Sequence, residues 1–179
     1  MNLIKINFML LLITLFYNVS WAQEVDSPMK TIAAVDMAAL DLPSTIIKAA
    51  EQMPERYYTF RPTPEVRSFG ELIAHVAKSN FVMCALAKGE DSPMLDVVPT
   101  KTAALNALKK SFDYCAKTRK NMTQSRKETF VEFMDGNHSA GNVLDFTIFH
   151  SLQHYGNLIV YMRLKGLVPP TSQPGSPGN

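Results

Sequence analysis

From Ser139 to Lys165 the chain contains no proline, and Val143, Thr147, His150, His154, Leu158 and Tyr161 recur at steps of three and four. That spacing puts all six on one stripe of a single long helix. Gly166 stands where a helix stops, and Pro169-Pro170 forbids its continuation. A stripe of this length has to be covered by other helices, so two histidines face what would be the core of a bundle.

Four residues advance a helix by about 400°, which leaves His150 and His154 roughly 40° apart in azimuth and about 6 Å apart in rise. Such a pair is either a clamp for a divalent ion or two half-buried, hydrogen-bonded imidazoles. Ser151, Leu152 and Gln153 lie between them, so the glutamate that H-E-x-x-H would supply as a base is missing. An ion held by the pair needs at least one more protein ligand. His75 is the best candidate, against the plainer reading of a satisfied core histidine.

The remaining helices follow from the same periodicity. Residues 31–53 carry Ile32, Val35, Ala39, Leu42, Ile46, Ala49, Ala50 and Met53, with Pro43 as an interruption. Pro54, Pro62 and Pro64 exclude regular helix over 54–67, and Tyr57, Tyr58 and Phe60 predict that this loop packs onto the bundle. Ser68 and Glu71 form a capping-box pattern that opens a second helix, which runs past His75 to Gly89. Cys84, nine residues beyond His75, points to the opposite face. A third helix is predicted from Thr100 to Asn121, with Leu105, Leu108, Phe112, Cys115 and Ala116 inward. Residues Met122 to His138 read as an irregular crossover, extended over Thr129 to Met134, with His138 at its surface or at the start of the next helix. The sum is an all-α four-helix bundle with one longer crossover before the last helix, a scaffold that builds metal sites from facing helices. It spans residues 23–170, followed by a Pro/Gly/Ser-rich tail, 171–179, expected to be disordered.

The N-terminus has the pattern of a secretory signal peptide over residues 1–22. Lys5 supplies the positive charge, Phe8 to Phe16 the apolar run, and Ser20 and Ala22 the small residues before the cleavage point. The apolar run is short for a membrane span, so the expectation is a periplasmic or secreted protein with no stable membrane anchor. Cleavage removes only Lys5 among 18 basic and 16 acidic side chains, which leaves a near-neutral domain with its cations scattered among acids. Nucleic acid needs a basic patch and is excluded as a partner. Cys84 and Cys115 are the only cysteines. In an oxidising compartment they can close a loop of about 30 residues, contributing roughly 3–4 kcal/mol; unpaired, they are small core residues.

Phe69-Gly70-Glu71-Leu72-Ile73-Ala74-His75-Val76-Ala77, together with His150-x3-His154-Tyr155-Gly156-Asn157 and the run to Pro169-Pro170, resembles the DinB-like (damage-inducible) family of four-helix bundles. The resemblance implies a divalent metal, commonly zinc or nickel, bound through His75, His150 and His154, with room for a further ligand. It also implies activities such as thiol S-transfer or thiol-dependent isomerisation. Export would remove the reduced thiol co-substrate, which leaves a metal-dependent hydrolase or transferase as one expectation and a non-catalytic metal-binding or stress-related bundle as the other. Glu71 is the one carboxylate placed to orient a histidine N–H. Tyr155 and Tyr161 are candidates to line an apolar pocket for an unidentified small molecule. Dimers among similar proteins, with the apolar faces of the first and last helices, lead us to expect a homodimer.

Overall fold

The computed structural model describes residues 41–93 and 100–175. The leader expected over 1–22 and the first ten residues of the helix expected from residue 31 lie outside them. Residues 41–52 are helical and are labelled α1 here. The others are α2 (Phe69–Lys88), α3 (Lys101–Asn121), a short α4 (Gln124–Glu128) and α5 (Ala140–Leu164). Strands β1 (Phe130–Phe133) and β2 (Gly136–Ser139) precede α5. Among the described residues no helix is long and apolar enough to cross a membrane.

The helix ends fall where their capping chemistry puts them. Ser68 accepts from the Glu71 N–H while the Glu71 carboxylate accepts from the Ser68 N–H, at 2.6 Å, so the predicted capping box opens α2. Thr100 and Ser139 cap α3 and α5 in the same way through their hydroxyls. Gly89 ends α2 at φ +84°. A side chain there would be strained by that φ and would also meet the Arg126 guanidinium at 2.9 Å. Arg126 uses that space to donate to the Ala87 carbonyl and, beside the Gly89 N–H, to the Leu86 carbonyl at the end of α2.

The main core joins α1, α2, α3 and α5 through Ile46, Ala50, Met53, Ile73, Val76, Leu108, Leu158 and Met162. The proline-rich loop packs onto it as expected. Tyr58 is buried, donates to the Ala50 carbonyl at 2.7 Å and meets the edge of Phe69. Lys101 closes the end of α1 by donating to the Glu51 and Met53 carbonyls.

A smaller cluster of Cys84, Ala87, Ala140 and Leu144 fills another part of the bundle. There Cys84 and Cys115 form a disulfide, with Cα atoms 5.4 Å apart, that links α2 to α3.

Two expectations need correction. The crossover is extended over Phe130–Phe133 as expected, but that segment is one strand of an antiparallel hairpin, with Phe130 opposite Ser139 and Phe133 opposite Gly136, and the short helix α4 precedes it. The hairpin's two-residue turn needs a positive φ, which the non-glycine Met134 adopts at +52°. The tail expected to be disordered from Thr171 begins in a 3-10 turn over Pro170–Ser172. The Tyr155 hydroxyl and Arg163 hold that turn against α5 through Thr171 and Ser172; residues 176–179 are outside the described set.

Candidate metal centre

The capping box fixes where α2 starts, and therefore which face of it carries His75. Ser139 does the same for His150 and His154 on α5. The two helices meet along a long contact, and the three imidazoles come together across it, each offering one ring nitrogen within 4.8 Å of the others. Ring centroids stand 5.2 Å apart for His75 and His150, 4.8 Å for His75 and His154, and 4.4 Å for the α5 pair. The Nε2 atoms of His150 and His154 are 3.1 Å apart, close enough for both to reach one ion at bonds of about 2.0–2.1 Å.

Burial shapes the electrostatics. Loss of water holds His75 down at about 4, helped by the positive charges of Arg67, His154 and Lys78. Burial also lowers His150 to about 4, with His154, His75 and Arg67 adding repulsion, and it lowers His154, with Arg67 adding to it. All three are therefore neutral at pH 7 and present lone pairs without first losing a proton. A divalent cation is the ligand that three converging neutral imidazoles fit.

Nδ1 of His150 has no hydrogen-bond partner among the described residues, although it is shielded from water. Nδ1 of His154 lies 3.4 Å from the Asn157 side-chain amide nitrogen. A half-turn of that amide brings its oxygen to an Nδ1–H, the tautomer that frees Nε2 for an ion.

The other residues singled out in the sequence do different work. Glu71 does not orient a histidine: its carboxylate accepts from Ser68 and pairs with Arg61 at 3.1 Å. Those contacts hold its pKa below the usual carboxylate range, the Ser68 N–H being the main cause. Tyr155 is buried against the core, and its hydroxyl is engaged by Thr171. Tyr161 donates to the Arg67 carbonyl at 2.6 Å and packs its ring against Phe60 and Phe69. Both hydroxyls thus have structural partners, and neither tyrosine lines the apolar cavity that Asn80, Phe112 and Ile148 border. His138 is exposed on β2, against Phe133 and away from the three ligands.

Three contributors were not anticipated. Arg67 acts on all three histidines, because Tyr161 ties its backbone to α5 just before the α2 cap. Asn157 sits three residues after His154, a spacing that helix geometry makes adjacent and that the sequence does display. Phe146 packs 6.4 Å from the His150 ring and is itself covered by Phe133 of the hairpin, at 5.6 Å. That wall depends on strand pairing, which had no signal strong enough to read.

Fold and site together define a helical bundle carrying a three-histidine cluster compatible with a divalent metal. The DinB superfamily model matches residues 41–158, and the chain belongs to that superfamily. The uncharacterized protein YjoA of Bacillus subtilis (strain 168) is 27% identical over 124 residues, 65% of this chain and 79% of YjoA. The crystal structure of that DinB-like protein superposes with a TM-score of 0.62 over 75% of this chain and 94% of its own, at 17% identity across the aligned structures. A DinB-like protein from Bacillus cereus ATCC 10987 superposes with a TM-score of 0.64, covering 78% and 95%, at 15% identity. At those identities the structures speak for the fold.

Proposed function

We propose that this protein is a divalent-metal-dependent hydrolase or transferase of small electrophiles, with zinc or nickel held by His75, His150 and His154. The observation that carries the reading is the convergence of three neutral, half-buried imidazoles with no carboxylate or thiolate among them. An ion bound by three protein ligands keeps a position for water or substrate and acts there as a Lewis acid. His75 from α2 and the pair from α5 would hold it across the helix contact. Asn157 would fix the His154 ring, and Phe146 with Phe133 would shield one side from solvent. Arg67 makes the surroundings positive, which favours a substrate that carries or develops negative charge.

The test is elemental analysis of protein purified without a histidine tag, followed by assays with model esters and electrophiles. We expect about one divalent ion per chain and turnover that disappears on chelation and returns with zinc or nickel. Protein that stays metal-free after loading overturns the metal assignment. Metal-loaded protein that turns over no substrate, and whose cobalt-substituted spectrum ignores thiols, carboxylates and hydroxamates, favours the non-catalytic binding role.

Two further parts of the proposal are export to the periplasm or medium and assembly as a homodimer. Support for the dimer comes from Phe149, Leu152, Val160 and Leu164, all more than half exposed on α5. A monomeric mass by light scattering at micromolar concentration would remove it.

A further inference from the structure

A cavity of about 540 Å³ lies among α1, α2, α3 and α5, and none of the three histidines lines it. Its walls are apolar: Pro43 and Ile47 from α1, Phe112 from α3 and Ile148 from α5. Its depth is polar. Asn80 and Ser151 line it and are 1% and 0% exposed, so neither meets bulk water. Asn80 donates to the Ser111 hydroxyl at 3.3 Å and accepts from the Ser151 hydroxyl at 3.4 Å. Those two bonds use half of what a primary amide can make. One N–H and one carbonyl lone pair of Asn80 have no protein partner among the described residues, on a side chain that reaches the cavity. The outer part is marked by exposed residues, Asp113, Ala116 and Lys120 of α3.

Nδ2 and Oδ1 of Asn80 each have one protein partner and each keep one further hydrogen bond to give, at a point that bulk water does not reach. A molecule that brings its own donor and acceptor to that point uses both and covers the apolar walls at the same time. The volume falls within the range of small-molecule sites. The rim carries both signs of charge, so it selects no strong net charge.

We propose that this cavity is a second ligand site, separate from the histidine cluster, for a neutral amphiphile with an aliphatic body and a hydroxyl or carbonyl end that reaches Asn80 and Ser151. Such a ligand enters head first past Ala116 and lies between α3 and α5. Its recognition is independent of the metal, so the metal-free protein binds it too.

The experiment compares n-octanol with n-octyl chloride, which has a similar shape and a far weaker hydrogen-bonding end, by ligand-observed NMR and calorimetry on the full chain. The alkanol is expected to bind about tenfold more tightly, the scale of one net hydrogen bond. Asn80→Leu keeps the volume, removes the polar floor and should erase or invert that preference. Ala116→Trp places an indole at an exposed lining position, where folding is least at risk, and should abolish binding of both probes. Should Asn80→Leu fail to fold, Ala116→Trp still decides. Absence of alkanol binding, equal affinity for the two probes, or binding that survives Ala116→Trp unchanged would each overturn the proposal.

Discussion

The two parts of α2, nine residues apart, are held by opposite means. Around Cys84 a disulfide crosses to α3, Arg126 donates to the last carbonyls of α2, and Arg119 donates to Asp145 and to the Leu144 carbonyl of α5. Around His75 there is no covalent tie among the described residues, the charged forms of three imidazoles are suppressed, and a buried nitrogen of His150 has no partner among those residues. The first region is tied by covalent and charged contacts, although Thr118 Oγ1 is also buried there without a partner among the described residues. The second brings three imidazoles together with no covalent tie between them, and its helices are held in place by contacts made elsewhere. A bundle can carry such a site because its stability is supplied at a distance from it.

The largest effect should come from removing a ligand. His150→Ala or His154→Ala is expected to abolish retention of the one ion per chain, read by elemental analysis, while the far-ultraviolet spectrum stays helical. Acid should do the same to the parent. Burial lowers the three site histidines from their ordinary 6.5, His75 and His150 to about 4 and His154 in the same direction. The unfolded chain therefore binds more protons between those values, so their neutral form supports the fold fully above about pH 6.5 and that support is lost as pH falls toward 4. In the folded protein protons compete with the ion for His75 and His150 only as pH approaches about 4. Complete loss of the ion already near pH 6.5, with the fold intact, would contradict this.

Next comes the disulfide. Cys84→Ser with Cys115→Ser should cost about 3–4 kcal/mol in denaturant unfolding and leave metal stoichiometry unchanged. If metal affinity falls as well, the two regions are coupled and the contrast between them fails.

A smaller change is expected from Asn157→Ala: metal affinity about tenfold weaker in competition with a chelator, with unfolding almost unaffected. An equal loss in stability and affinity would make Asn157 a structural residue only.

The smallest effect separates the two roles considered for Glu71. Ser68→Ala should cost about 1 kcal/mol through the lost cap. Glu71→Gln should keep the cap and the parent metal affinity, whereas a drop in affinity would return Glu71 to the metal centre.

Much of the bundle was legible because its signals are local. Ser68 with Glu71, Thr100, Ser139, Gly89 and Gly166 mark helix ends by backbone chemistry within a few residues, and the structure places the ends there. The hairpin was read only as extended because its pairing is four residues long and has a methionine, not a glycine, at the positive φ. Glu71 was misassigned because a capping box and a ligand-orienting carboxylate have the same spacing from His75.

What the sequence determined by itself is one-dimensional: which stretches are helical, where they stop, and that His150 and His154 share a face. Tertiary structure decided everything that crosses from one helix to another. It put His75 against the α5 pair, closed Cys84 onto Cys115, tied Arg67 to α5 through Tyr161, and set Asn80 at the base of a cavity rather than in a filled core. The reason is that periodicity specifies a residue's angle around its own helix, whereas the partner it meets depends on how the helices are packed and at what height.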